Sequence, residues 1–427
     1  MHTSSRRLTE IAGTVCGVGA LVVVGVLSGI DMWTVTIVPL SVHVSFFEGI
    51  VTIGASFAFV AITGAYVVWD VWRDNGPDPV LSGPDVQAIV PAYRDADIVD
   101  VCVESLVESA YDSLSVAVVV EPDDPTTRNR AEELAAEYDA VECLVNGDPG
   151  SKALAINHAV RESDADYFAV FDADESISPM FIPTAMGNLL GDVDVFQGRR
   201  IPRPTGVVET LAYCERLVVH TGYAAADLAG FTHCQSSSTA FTRTAFELAG
   251  GYDDKLTEDI DFSHKCYRAN LTVKQDRSCA NTMEAPHSVR DLWGQRKRWR
   301  IGHVEVVHSR IQEALDGDLG FDDILSIGRA AGGLMAGAFM LVVLSHILIL
   351  TVQGIESAFL VPYGLVLATV GAVWLHDYRA GHVDGFLPGV FLVPLVYFGH
   401  GILTVKSFLE YYLTWEGEWY QVTKIGS

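Results

Sequence analysis

The sequence predicts an α/β domain, built on a mostly parallel mixed sheet flanked by helices and set between transmembrane helices. Two observations carry that expectation. Apolar residues concentrate at the two ends of the 427-residue chain, while strand-like apolar runs alternate with helix-like stretches through its polar middle. The polar clusters of the middle part fall just after those runs, where open α/β sheets bind their ligands.

Apolar residues make up 49% of the chain and mean hydropathy is +0.27, which excludes an ordinary soluble enzyme. Residues 11–30 are uncharged and long enough to cross a hydrocarbon core of roughly 30 Å. Further apolar segments follow at about 47–69, 331–353, 358–375 and 386–411. The chain therefore divides into a membrane region with two transmembrane helices at 1–74 and a soluble domain at 75–286. Amphipathic interfacial helices follow at 287–330, then a second membrane region at 331–427 with about three apolar segments and a short tail. A cleaved signal peptide fits 11–30 poorly, because a second apolar segment follows almost at once.

Arg6 and Arg7 precede the first segment, the loop at 31–46 has no Lys or Arg, and Arg73 follows the second segment. The excess of cations on one side places the N-terminus and the middle domain in the cytoplasm, as in a multi-pass cell-membrane protein. Three clean spans after that domain would leave 415–427 outside, unless 386–411 forms a re-entrant hairpin. The seven cysteines are scattered with no CxxC pair, which fits a reducing compartment and argues against a zinc site or a disulfide framework. A formal net charge of −26 repels nucleic acid and is tolerable when high salt screens it, so a halophilic source is expected.

The middle domain begins with a strand at 86–90 (VQAIV) between Pro84 and Pro91, then a helix at about 97–110. A second strand at 115–120 (SVAVVV) ends at Glu121-Pro122-Asp123-Asp124-Pro125. A helix at 128–138, a strand at 141–145, a helix at 152–161 and a strand at 167–171 (YFAVF) follow. The last strand stops at Asp172-Ala173-Asp174. Two carboxylates so close repel each other unless a cation sits between them. A hard divalent ion, Mg²⁺ or Mn²⁺, relieves the repulsion and is commonly shared with substrate phosphates.

Gly250-Gly251-Tyr252 is a turn, and Leu256-Thr257-Glu258-Asp259-Ile260-Asp261 follows it. Asp259 opens a predicted helix, as a cap, as a dipole partner, or as a general base within reach of an acceptor hydroxyl. The scarce cations gather at Gln295-Arg296-Lys297-Arg298-Trp299-Arg300, either as a juxtamembrane flank or as a site for an anionic ligand. Leu292, Trp293, Val304, Val307 and Ile311 give 288–314 one apolar flank. Such a helix lies in the headgroup region or packs on a domain.

In this order the motifs resemble those of the family 2 glycosyltransferases, especially the membrane-embedded branch of cellulose and hyaluronan synthases. The resemblance covers about 86–305 and rests on Val90-Pro91-Ala92-Tyr93, the acidic cluster after the second strand, and Lys152-Ala153-Leu154-Ala155-Ile156-Asn157. It continues through Phe171-Asp172-Ala173-Asp174, Gly250-Gly251-Tyr252, Thr257-Glu258-Asp259 and Gln295-x-x-Arg298-Trp299. It implies a GT-A-type fold in which Asp172 and Asp174 hold Mg²⁺ or Mn²⁺ and the nucleotide diphosphate. By the same resemblance Asp259 is the catalytic base. Glu258, Gln295, Arg298 and Trp299 lie beside acceptor and diphosphate, and Pro91, Tyr93 and Lys152 line the nucleotide site. Glu121-Pro122-Asp123 departs from the family's paired aspartates, leaving open whether Glu121 or Asp123 takes the nucleobase and ribose. Arg94 stands where the family often has Asn. Trp419-Tyr420-Gln421-Val422-Thr423-Lys424 resembles the cytoplasmic tail of related synthases.

The implied function is a membrane-integral inverting glycosyltransferase. It would move a sugar from a nucleotide-diphosphate sugar, a UDP-sugar first, to a hydroxyl of a lipid-linked or glycan acceptor at the bilayer. A processive polysaccharide synthase is the alternative. A nucleotide-binding transporter or receptor predicts ionisable residues within the spans, which almost lack them.

Overall fold

The computed structural model of the chain describes residues 2–37, 42–73, 76–317, 320–385, 388–417 and 420. Helix α1 (His2–Gly29) leads into a short antiparallel hairpin, β1 (Met32–Ile37) and β2 (Val42–Phe47), and then α2 (Glu48–Trp72). The loop expected at 31–46 is instead this hairpin, in which Trp33, Val35 and Phe46 alternate with Thr34 and Ser45 at the strand period.

The middle domain then alternates as expected. Its first half runs β3 (Val86–Ala92), α3 (Val99–Val107), β4 (Leu114–Val120), α4 (Pro125–Glu137), β5 (Val141–Val145), α5 (Lys152–Glu162) and β6 (Tyr167–Val170). Its second half runs β7 (Glu175–Ser176), α6 (Phe181–Leu189), β8 (Val195–Pro202), α7 (Val207–Leu228), β9 (Thr239–Thr242), α8 (Arg243–Ala249), α9 (Glu258–Arg268) and β10 (Val273–Met283). Helix α4 starts three residues before its predicted position because Asp124 caps it, accepting from the Thr127 backbone N–H, and Pro125 fits the first turn.

The strands form one eight-stranded sheet in the order β5-β4-β3-β6-β9-β8-β10-β7. Strands β3 to β6 pair in parallel, β8 pairs in parallel with β10, and β9 and β7 run antiparallel to their neighbours. The period of two along each strand fills both faces. Val86, Ala88 and Val90 enter a core with α3, α4 and α6, while Ile89 enters a second core with α5, α8 and α9.

After the domain come α10 (Val289–Asp316), α11 (Phe321–Val352), α12 (Ser357–Arg379) and, behind a 3₁₀ turn at Pro388–Leu392, α13 (Val393–Leu413). Among the described residues five helical runs are long and apolar enough to cross a membrane: Arg6–Gly29, Glu48–Trp72, Asp323–Val352, Ser357–Arg379 and Gly389–Leu413. Helix α10 packs against α7, α9, α11 and α13; of its apolar flank Val304 is buried, while Trp293 and Ile311 remain exposed. At Gly337 of α11 any added Cβ would lie 2.0 Å from Thr404 Oγ1 of α13; the small residue sets how closely the two helices approach.

Contacts at the two ends of α13 bear on its topology. The end of α12 is held to the sheet by Asp377 and Arg199, and Gly389 lies against Thr210 of α7. At the far end Glu410 accepts from Lys297 of α10, and Thr414 bonds Glu10 of α1. The start of 388–413 thus meets α7 of the sheet domain, and its end meets α10 and α1. Tyr420 donates to Asp291 of α10 at 2.9 Å. Trp419 and residues 421–424 lie outside the described residues.

A third apolar core joins the sheet to the helices, with Ile201 of β8 and Ala280 of β10 against Val67, Val71, Val370 and Val373. Two ion pairs are set into it. Arg199 on β8 grips Asp377, with both side chains 1% exposed or less, and Tyr213 Oη donates to the same carboxylate at 2.8 Å. Arg277, at the bulge of β10, bonds Asp70 of α2 at 2.6 Å. Removing one partner of a buried pair leaves the other charge uncompensated, at a cost of about 3–5 kcal/mol. Asp377→Asn is therefore expected to lower the thermal unfolding midpoint in detergent by several degrees. An unchanged midpoint would show that the Arg199 charge finds other compensation.

Candidate active site

The sheet delivers its polar clusters to one place. A cavity of about 1820 Å³ is lined by Pro91 and Tyr93 after β3, Glu121 and Asp123 after β4, Lys152 at the start of α5, and Asp172 and Asp174 after β6. Glu258 and Asp259 of α9 and Gln295, Arg298 and Trp299 of α10 line it too. Every residue singled out from the sequence for the site thus borders the same space.

Within it, each carboxylate has its own setting. Asp172 is paired with both Lys152 and Arg200, and its backbone N–H donates to Ser237 Oγ at 2.8 Å. Asp174 is 7% exposed. Behind them Glu175 is fully buried, held by Arg200 and accepting from Ser238 Oγ at 2.9 Å; burial pushes its pKa up. Glu121 accepts from Asn146 Nδ2 at 2.7 Å and from the Gly150 N–H at 3.0 Å. It is thus spent on the loop before α5. Asp123 is exposed and carries no hydrogen bond or ion pair among the described residues. Arg94, at φ 57°, donates its N–H to Asp124, which ties the turn after β3 to the cap of α4.

Helix α9 begins at Glu258, one residue before its predicted start, with Thr257 at the cap position. Glu258 accepts from Ser236 Oγ at 2.6 Å. Burial, and then the neighbouring Glu258 charge, push the Asp259 carboxyl up to about 6. Helix α10 reaches this place because Gly302 packs on Thr257, where a Cβ would lie 2.6 Å from the methyl carbon. Gln295, Arg298 and Trp299 are spaced i, i+3, i+4 and share one helix face. The Trp299 ring meets two guanidinium groups, Arg296 at 4.3 Å and Arg216 of α7 at 5.2 Å from its centroid.

Sequence patterning missed Arg200, Glu215 and Arg216, and marked Arg296 only as part of the basic cluster at 295–300. Arg200 fastens Asp172 to Glu175, while Glu215 of α7 holds Arg296 at 2.5 Å and accepts from His400 of α13 at 2.5 Å. The arginine beside Glu215 holds its carboxyl far below the usual range, against the opposing effect of burial. The one available signal was Arg199-Arg200 inside an apolar stretch of so acidic a chain.

Against known proteins, the model of the family described as glycosyltransferase like family 2 matches residues 84–302, half of the chain. The chain belongs to that glycosyltransferase family. This glycosyltransferase is 23% identical over 254 residues to a probable glycosyltransferase, YdaM, of Bacillus subtilis, covering 55% of this chain and 58% of that one. It is 23% identical over 235 residues to the poly-beta-1,6-N-acetyl-D-glucosamine synthase of Staphylococcus epidermidis, covering 52% and 55%. The chain spans about half the length of these curated relatives. Among solved structures it resembles a mannosyltransferase, PcManGT, from Pyrobaculum calidifontis in complex with GDP-Man and Mn²⁺. That likeness has a TM-score of 0.50 at 17% identity and covers 78% of this chain and 98% of the other. It establishes the GT-A fold of the sheet domain.

Proposed function

We propose that this glycosyltransferase sits in the cell membrane with its sheet domain in the cytoplasm and transfers one sugar from a nucleotide-diphosphate sugar to a hydroxyl of a lipid-linked acceptor. The observation that carries the reading is the continuity of the cavity. From Asp172, Asp174 and Asp259 it runs on to apolar faces of the long helices, including Phe59 and Val60 of α2, Phe339 and Met340 of α11, and Phe359 and Val366 of α12. A hydrophilic polymer gains little from such walls, whereas a lipid chain buries against them at roughly 25 cal/mol per Å².

The donor set fits a hard divalent cation. Asp172 and Asp174 offer only oxygen, and among the described residues no cluster of three His, Cys, Asp or Glu side chains forms a closed metal cage. One or two carboxylates, with substrate phosphates completing the shell, suit Mg²⁺ or Mn²⁺, and the PcManGT structure contains Mn²⁺. When bound, such an ion supplies Lewis-acid stabilisation of the departing diphosphate.

The chain's own residues would do the rest. Lys152 and Arg200 hold Asp172 in place, and Arg298 adds a clamp for the diphosphate. Asp259 takes the proton as the acceptor oxygen bonds to the anomeric carbon. The bond to the diphosphate breaks and its electron pair leaves with the phosphate oxygen, so attack from the opposite face inverts the centre. Exposed Asp123 is the better candidate for the nucleoside, since Glu121 is engaged. Because Asp259 must be ionised, kcat/KM is expected to fall as pH drops through about 6. A rate flat from pH 7 to pH 5 would remove Asp259 as the base.

The test of the function is product partition. Membranes incubated with radiolabelled UDP- and GDP-sugars should yield label that extracts into organic solvent with one sugar per lipid. Label in a water-soluble polymer would assign the chain to processive synthesis instead.

A further inference from the structure

Around Trp299 lie cations that the sugar-nucleotide site does not account for. The chain has 28 Lys and Arg against 54 Asp and Glu, so an arginine left without an acid is unusual here. Arg216 is one. It is 7% exposed, lines the cavity, and among the described residues makes no hydrogen bond or ion pair, only its contact with the Trp299 ring. Arg300 is a second. Its Nη2 donates to His400 Nδ1 at 3.2 Å, and among the described residues it has no carboxylate at ion-pair distance.

Glu215 acts on both only through space, because its oxygens are already taken. Glu215 is shared between Arg296 and His400 Nε2, which lies 2.5 Å from its oxygen. Burial, then the charges of Arg200 and Arg296, lower the Arg216 pKa only to about 10, so it stays a cation at neutral pH. A buried, uncompensated charge is costly unless an anion arrives to meet it.

The position of the pair narrows the anion. One turn along α7 from Arg216 the cavity wall is Val219, and beside His400 on α13 it is Tyr397. Beyond these come the apolar helix faces. The ligand that matches is an amphiphile, anionic where it meets the arginines and apolar beyond.

We propose that Arg216 and Arg300 form an acceptor-side anion site that holds the phosphate or diphosphate bridge linking a lipid chain to the acceptor sugar. The assignment rests on the lipid-acceptor reading above and names the chemistry of its head. It leaves Asp259 its task, since the attacking oxygen is a sugar hydroxyl and not the phosphate itself.

The test is calorimetry on the full chain in detergent with farnesyl phosphate, farnesol and inorganic phosphate, and separately with UDP and Mn²⁺. Farnesyl phosphate should bind at least tenfold tighter than either of the other two lipid-site probes. Arg216→Ala should weaken farnesyl phosphate by roughly tenfold or more, as expected for loss of a charge-assisted contact, and leave UDP affinity within about twofold. Arg216→Lys should recover part of the loss, because a point charge replaces the fork only incompletely. Arg300→Gln reads the same site should Arg216→Ala fail to fold. Equal binding of farnesol, or of inorganic phosphate, would overturn the proposal, the first by showing that only the chain is recognised and the second that the site takes a free anion. Loss of UDP affinity in Arg216→Ala would assign the arginine to the donor and overturn it as well. No turnover is needed, so this experiment fails separately from product partition, where a water-soluble polymer overturns the lipid acceptor whatever farnesyl phosphate does.

Discussion

Asp259→Asn is expected to eliminate sugar transfer while leaving nucleotide-sugar affinity within a few-fold of the parent. The proposed role of Asp259 is exercised on the acceptor, so the bound donor should not sense the lost charge. A positioned base contributes roughly 10²–10⁴-fold to rate, and the isosteric amide cannot accept the proton. The fold should survive, because the carboxylate is held mainly by the Ile260 N–H at 2.8 Å, which an amide oxygen replaces. Calorimetry beside initial rates decides the matter. Should nucleotide binding collapse together with transfer, Asp259 is a binding residue and the base lies elsewhere. The same pair of measurements on Arg298→Ala should give the contrasting result, with affinity and rate both reduced, because a clamp on the diphosphate acts in the bound state and more strongly in the transition state.

The second large effect belongs to Asp174. Asp174→Asn removes a charge with little change in volume, and loss of a divalent ligand should cost several kcal/mol of leaving-group stabilisation. Both transfer and metal-dependent nucleotide affinity should fall. Chelation with EDTA should mimic the variant, and added Mn²⁺ should restore the parent but not Asp174→Asn. Full activity in EDTA would sink the metal assignment.

Much of the first half of the sheet domain was legible, and for a physical reason. Strands β3, β4 and β6 are buried on both faces by apolar side chains, so they stand out as uninterrupted runs ending in acid. The second half hides its strands. β8 is buried throughout, yet it contains Gln197, Arg199 and Arg200, and a strand that buries two arginines looks polar. Their partners explain the burial and are remote in sequence: Asp377 is 178 residues from Arg199, and Asp172 is 28 from Arg200. The candidate site divides the same way. Asp172, Asp174 and Asp259 sit at element ends, where turn chemistry marks them. Glu215 and Arg216 lie mid-helix in α7, where only the neighbours brought by α10 and α13 give them meaning.

Arg199 and Arg200 are consecutive on β8, so their side chains leave opposite faces of the strand. One is anchored in a long apolar helix and the other in the carboxylates at the sheet edge. Arg277 ties a neighbouring strand to a second such helix. In the membrane arrangement proposed above, the elevation of the reaction centre over the bilayer is then a property of the protein. A thicker or thinner lipid environment would be met by tilting the molecule as one body or by deforming the surrounding lipid. The spacing between the sugar donor and the helices that carry the acceptor would stay constant.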